Sequence, residues 1–300
     1  MLYLYHYGLK EKPFQETANP RFLWLGKRQL HTYSTLKHGV LNNTGITLLT
    51  GEVGTGKTVL LNFLAESLKS HVVISRINNP DLDIPDFLNS LSDSFNPGTF
   101  FEDKVSFLSQ IILAGSDKKM ILIIIDEAHL LTDSLLDELS LLLKIKKNDV
   151  PMVNIVLAGQ ETSWGSLNET TLAEITQIPL LKCHLQPFTQ QETNQYIMHR
   201  LKIAGATRNL FTVTALGKIY LFSGGIPRVI NSICDHALLT GYSKNLAIIN
   251  SAVIQECSQD IYYLNQENDM NKGLIPMPPL SQLLHPGSAV QISSGPNDWN

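Results

Sequence analysis

Eight consecutive residues, Gly51-Glu52-Val53-Gly54-Thr55-Gly56-Lys57-Thr58, fit the pattern G-x-x-x-x-G-K-[ST] of a loop that cradles nucleotide phosphates. Glycines let the backbone wrap tightly, and bare N–H groups at the start of a following helix, aided by its positive dipole end, would hold the phosphate oxygens. Lys57 would reach the β and γ phosphates and the Thr58 hydroxyl would ligate magnesium, with Val59 completing the stretch that faces the nucleotide. A second constellation follows downstream, where the apolar run Ile121 to Ile125 ends in Asp126-Glu127. A buried strand ending there would aim two carboxylates at the phosphates. Asp126 would hold the magnesium shell, and Glu127 would orient and deprotonate an attacking water. Gln160, after the apolar run Ile155 to Gly159, could contact the γ-phosphate or that water from a neighbouring strand. Arg228 follows Gly224-Gly225-Ile226-Pro227, where glycines end one helix and a proline opens the next, which fixes where the arginine projects.

These residues need strands and helices to position them. Residues 46–50, 71–77, 121–125, 153–158 and 180–185 read as strands. Apolar residues at helical spacing mark helices over 29–41, 59–68, 84–95, 101–113 and 133–145. Alternation of the two implies βαβ units and a parallel sheet covered on both faces, a three-layer α/β domain. From Thr189 the pattern turns to helices only, over 190–204, 212–222, 227–240 and 251–257, as in a small all-helical lid domain. The expected organisation is therefore a lead-in over 1–28, a nucleotide-binding domain over 29–187, a helical lid over 188–258 and a disordered tail over 259–300. The lead-in carries Tyr3, Tyr5, Tyr7, Phe14, Phe22 and Trp24 among prolines, so it is expected to be irregular and packed on the core.

Composition narrows the class. With 43% hydrophobic and 17% charged residues, a chain of 300 residues can bury its own core. A formal charge of −4 argues against a protein that coats nucleic acid. Three dispersed cysteines, Cys183, Cys234 and Cys257, suit buried thiols in a reducing compartment. No apolar run reaches the roughly 18 residues that span a bilayer, and the N-terminus lacks the layout of a secretory signal, so a cytoplasmic protein without a transmembrane segment is expected.

Together the motifs resemble the AAA+ ATPases, and more closely the general secretion pathway protein A (ExeA-like) family. The resemblance spans roughly residues 3 to 257. It rests on Tyr7-Gly8-Leu9, Lys12-Pro13-Phe14 and Asn19 to Leu23, on the phosphate loop, and on Ile125-Asp126-Glu127-Ala128-His129. It continues through Leu157-Ala158-Gly159-Gln160, His199-Arg200-Leu201 with Ala204-Gly205, and Gly224 to Asn231. The resemblance implies an ATP hydrolase using ATP and Mg2+ that works as a homo-oligomer on a protein partner in envelope, secretion or pilus assembly. By it, Gln160 takes the sensor 1 position and Arg228 the sensor 2 position, closing over nucleotide held between the domains, and the lead-in around Pro13 and Phe14 lies near the base. Alternatives are a regulator of DNA transposition or targeting, disfavoured by the acidic balance and the lack of a basic arm, and a nucleotide-gated interaction module with little turnover. One departure concerns arginine: the family usually has Gln-Arg-Ile before its fifth strand, where this chain has Thr176-Gln177-Ile178-Pro179. No arginine occurs between Arg76 and Arg200, so slow hydrolysis without a partner is expected.

Overall fold

A computed structural model describes residues 2–15, 20–93, 120–147, 150–160 and 180–258. The helix expected over 101–113, the Thr176–Pro179 run and the tail over 259–300 lie outside the described residues. In chain order the elements are α1 (Leu2–Tyr7), α2 (Lys27–Leu41), β1 (Ile46–Gly51), α3 (Lys57–Leu68), β2 (Val72–Ile77), α4 (Ile84–Asp93) and β3 (Met120–Ile125). They continue with α5 (Asp133–Leu143), β4 (Lys146–Lys147), β5 (Val150–Pro151), β6 (Val153–Gly159) and β7 (Leu180–Leu185). Helices α6 (Gln190–Ile203), α7 (Val213–Ser223) and α8 (Pro227–Ser243) follow, then a helical segment over 251–258.

Strands β3 and β6 are apolar almost throughout because both of their faces are covered. Ile121, Ile123 and Ile125 of β3 pack with Phe87 of α4 and Leu135 and Leu139 of α5. The alternate residues, Leu122 and Ile124, pack on the other face with Leu60, Leu61 and Leu64 of α3 and Leu36 of α2. All five strands of the main sheet run parallel in the order β2-β3-β6-β1-β7. The chain's first strand thus lies between two of its last. The carboxyl ends of β1, β6 and β3 share one rim, where an open parallel sheet offers a ligand crevice. A short antiparallel ribbon, β4 with β5, was not signalled by any pattern.

Helix α2 departs from its expected apolar stripe. Leu36 and Val40 are buried, but Leu30 points to solvent, and Gln29 and Thr32 are buried in its stead. That end of α2 lies along the backbone at the end of β7, where Gln29 Nε2 donates to the Gln186 carbonyl (3.1 Å) and Thr32 Oγ1 to that of His184 (3.3 Å).

The helical part has its own core, and the lead-in belongs to it. Residues 2–7 are helical where an irregular segment is expected, and Tyr3, Tyr7, Leu9, Phe14 and Phe22 pack with residues of α6, α7 and α8 rather than on the sheet. Tyr3 Oη donates to Asp235 of α8 (3.1 Å), and the Lys10 N–H donates to the Ala204 carbonyl (2.8 Å). Helix α6 opens with a capping box, Thr189 accepting from the Glu192 N–H while the Glu192 carboxylate accepts from the Thr189 N–H. Between α7 and α8, Gly225 adopts φ +78°, and a Cβ there would lie 1.9 Å from the Phe188 carbonyl oxygen. Only glycine lets this turn press on the backbone that leaves β7.

Candidate nucleotide-binding site

The loop after β1 folds back on its own lysine. Lys57, 7% exposed, opens α3, and its ammonium donates to the Gly51 carbonyl at 2.8 Å and the Glu52 carbonyl at 3.1 Å. Burial holds that ammonium below the usual lysine range, while the charges of Glu127 and Asp126 pull it back up and Arg228 opposes them. Thr55 Oγ1 donates to the Glu52 carbonyl (2.8 Å) and fixes the loop's turn. Gly54 has φ +82°, a conformation most residues avoid, and its added Cβ would come within 2.9 Å of the Arg228 Cβ. Gly56 is the N-cap of α3, and the helix supplies the unpaired N–H groups that suit phosphate oxygens. Val53 and Val59 stand partly exposed on the same loop and helix turn.

Two carboxylates stand at the end of β3. Asp126 is 4% exposed; its Oδ2 accepts from Thr58 Oγ1 at 2.6 Å and its Oδ1 from the Glu127 N–H at 3.1 Å. Glu127 is half-buried, with φ +49° and ψ +39°, a left-handed conformation uncommon for a residue with a side chain. Glu127 lines the cavity, and His129 Nδ1 stands 3.4 Å from its Oε2, an ion pair when the imidazole is protonated. Behind Asp126, Arg76 of β2 is held below its usual range by burial and pulled back up by the Asp126 charge.

Helix α8 approaches from the other side. The Arg228 N–H donates to the Gly54 carbonyl at 3.2 Å, so the first turn of α8 rests on the phosphate loop. Between these parts lies a cavity of about 360 Å³, lined by residues 53–60 of the loop and α3 and by Glu127, Gln160 and Arg228. Its far half is apolar and aromatic, walled by Phe22, Trp24, Leu25, Phe188 and Tyr196. Trp24 meets Phe188 edge-on with ring centroids 5.2 Å apart. The cavity therefore combines a lysine and backbone donors with an aromatic and apolar set that is joined by the polar Gln29, Arg200 and Asn231, as a nucleotide's triphosphate and base would require.

The structure brings Lys57, Thr58, Asp126, Glu127, Gln160 and Arg228 to one rim of the sheet. Gly51 and Glu52 lie behind the cavity, where their carbonyls hold Lys57. The resemblance implies that the lead-in around Pro13 and Phe14 lies near the base; the lead-in residues that line the cavity are Phe22 to Leu25, and Tyr196, Arg200 and Asn231, which line it too, are not singled out as site residues by the sequence. The cluster of lead-in aromatics was the signal available; nothing in the sequence said which layer they join. Magnesium fits the pair Thr58 and Asp126, a hydroxyl and a carboxylate oxygen at the phosphate end, since this hard ion takes few protein oxygens and completes its shell with phosphate and water. Among the described residues no cluster of three or more His, Cys, Asp or Glu side chains could hold a metal by itself.

Fold and site define a P-loop protein of the AAA+ class. Residues 40–165 match the family model described as AAA domain. Within the class the chain is similar to general secretion pathway protein A of Aeromonas hydrophila, to which it is 31% identical over 281 residues, 91% of this chain. The chain spans about half, 51%, of that relative's length. Among solved structures it is similar to Cdc6p from Pyrobaculum aerophilum, with TM-score 0.62 and 17% identity, covering 83% of this chain and 70% of the other. It is also similar to the Holliday junction branch migration motor RuvB of Thermotoga maritima, with TM-score 0.53 and 16% identity, covering 77% and 68% of the two chains. At these identities the likeness is one of fold. Among the described residues, no helix is long and apolar enough to cross a membrane.

Proposed function

We propose that the protein binds and hydrolyses MgATP and uses the cycle to drive or license a protein partner in envelope, secretion or pilus assembly, working in the cytoplasm as a homo-oligomer. The observation that carries the ATP reading is the convergence of Lys57, the Thr58–Asp126 pair and Glu127 on one cavity whose other half is apolar and aromatic. The secretion reading rests on the likeness to general secretion pathway protein A over nearly the whole of this chain. In this reading the chain divides into a nucleotide-binding domain and a helical lid, with the lead-in docked on the lid.

Lys57 turns from the Gly51 and Glu52 carbonyls to the β and γ phosphates, trading neutral acceptors for charged ones. Magnesium, when bound by Thr58 and Asp126, neutralises charge on the phosphate oxygens. Glu127, on its left-handed turn, orients the water and takes its proton, Gln160 steadies the water or the γ-phosphate, and Arg228 brings charge from the lid. Lys57→Ala is expected to lose nucleotide affinity, and Glu127→Gln to bind MgATP but turn over at least ~100-fold more slowly. Fluorescent-nucleotide titration and phosphate release test both, and normal hydrolysis by Glu127→Gln would show that the base is misassigned.

Turnover by the isolated protein is slow in this reading. An arginine offered across a subunit interface is worth ~10³-fold or more in phosphoryl transfer, and lysine lacks its planar fork. Between Lys147 and Arg200 the sole Lys or Arg is Lys182, exposed on the edge strand β7. Specific activity over a wide range of protein concentration, for wild type and Lys182→Ala, decides whether Lys182 acts across an interface. A fast, concentration-independent rate in both proteins refutes the slow-turnover reading.

A further inference from the structure

Arg200 of α6 is 5% exposed, and among the described residues its hydrogen-bond partners are all neutral. Its Nε donates to the Pro13 carbonyl at 2.6 Å and its Nη2 to the Gln15 carbonyl at 2.8 Å. Its Nη1 donates to Tyr196 Oη at 2.6 Å and to Asn231 Oδ1 at 3.3 Å. The rings of Phe22 and Tyr196 lie 5.0 and 5.5 Å from the guanidinium carbon. Burying a cation costs several kcal/mol, and among the described residues it is these neutral bonds and ring faces, with no carboxylate, that offset it here. An apolar side chain would fill the space without that cost. What only a guanidinium supplies is a rigid fork that reaches several acceptors at once.

Those acceptors lie on three different parts of the molecule. Pro13 and Gln15 precede, and Phe22 opens, the part of the lead-in that walls the cavity's apolar half. Asn231 sits on α8 one helical turn beyond Arg228, whose N–H rests on the phosphate loop. Tyr196 Oη also donates to Asn231 Oδ1 (2.9 Å), closing a three-residue network around the guanidinium. The neighbouring His199 faces the backbone of Arg21 and Leu23, so two consecutive residues of α6 hold the lead-in on both sides.

We infer that Arg200 is a positioning residue for the nucleoside half of the ligand: it locks the lead-in wall to α6 and α8 so that the base compartment and the phosphate loop close as one body. The inference rests on the nucleotide reading above. Arg200→Lys keeps the charge but loses the fork, and Tyr196→Phe keeps the ring but removes the hydroxyl that bridges Arg200 and Asn231. Calorimetric titration of the full chain with MgATP and with magnesium tripolyphosphate separates the two halves of the site. Each variant is expected to weaken MgATP by about tenfold, roughly the loss of one charge-assisted hydrogen bond, and to leave tripolyphosphate within about twofold of wild type. Equal loss of both ligands, or loss of neither, overturns the inference. If Arg200→Lys does not fold, Tyr196→Phe alone decides it. A wild-type protein that binds neither ligand refutes the nucleotide reading instead.

Discussion

Thr58→Ala probes the site at its tightest contact. The Asp126 carboxylate is 4% exposed and takes a 2.6 Å hydrogen bond from the Thr58 hydroxyl. Alanine removes that donor and leaves a buried anion holding the 3.1 Å bond from the Glu127 N–H. A hydrogen bond to a charged group contributes about 1.5–3 kcal/mol, and in a chain of this size each kcal/mol moves the melting temperature by roughly 2–4 °C. Thr58→Ala should therefore melt roughly 3–12 °C lower without ligand, although Thr58 itself is exposed and fills no core space. In the proposed reading the same substitution also removes a magnesium ligand. The stabilisation that MgATP gives over ATP with a chelator should shrink, and Thr58→Ser, which restores the hydroxyl, should recover both properties. Calorimetric melting with and without MgATP, across a magnesium series, reads both effects together. A Thr58→Ala protein as stable as wild type, with an unchanged magnesium dependence, would refute the reasoning.

Gly54→Ala carries two costs, a left-handed φ of +82° and a Cβ 2.9 Å from that of Arg228; it should lift the start of α8 off the loop and weaken MgATP by tenfold or more, about 1.4 kcal/mol, in a binding titration. Glu192→Gln should cost up to about 1 kcal/mol at neutral pH by removing the charge from the 3.0 Å contact with Arg28, since a glutamine amide oxygen can still accept from the Thr189 N–H. Burial alone would raise the Glu192 carboxyl above 4.5, but the bonds from Thr189 and Arg28 outweigh it and hold the group lower. A carboxyl depressed in the folded state stabilises fully above its unfolded value and loses that contribution as pH falls through the folded one. Denaturant melts of wild type and Glu192→Gln should thus differ at neutral pH, begin to approach one another as pH falls past about 4.5, and meet only once pH is below the lowered value of the folded carboxyl.

The phosphate loop, the five strands and the carboxylate pair were legible because each is written locally. A glycine pattern followed by an amphipathic run specifies strand, loop and helix within twenty or so residues, and Ile121 to Ile125 can be little but a strand covered on both faces. The base half of the cavity is assembled from Phe22 to Leu25, Phe188 and Tyr196, which meet only in three dimensions. The lead-in's aromatics announced burial without naming the surface that takes them. Composition also misled at α2, where Leu30 had the better claim to the interior but the backbone at the end of β7 recruited Gln29 and Thr32. Arg200 shows the same limit more sharply. An arginine on a helix is a solvated residue by default, and its burial follows from carbonyls of Pro13 and Gln15 that lie 187 and 185 residues away in the chain.

The arrangement of charge says how far one chain can carry the chemistry. Lys57 and Arg228 face the cavity from the loop and the lid, and Arg76 stands behind Asp126 on β2. In the proposed reading Lys57 has to leave two backbone carbonyls before it serves the phosphates, and Arg76, on β2, feels the charge of Asp126. Arg228 sits at the first turn of α8, so its position at the phosphates depends on how firmly the lid rests on Gly54. The helix that bears Arg228 also bears Asn231, and through Arg200 it bears on the lead-in. A nucleotide that reaches from the phosphate loop to Trp24 would therefore bind most tightly where lid and lead-in are joined. In the proposed reading lid closure and base capture are one event, and a partner that pulled on either end of the chain's helical part would act on hydrolysis through it.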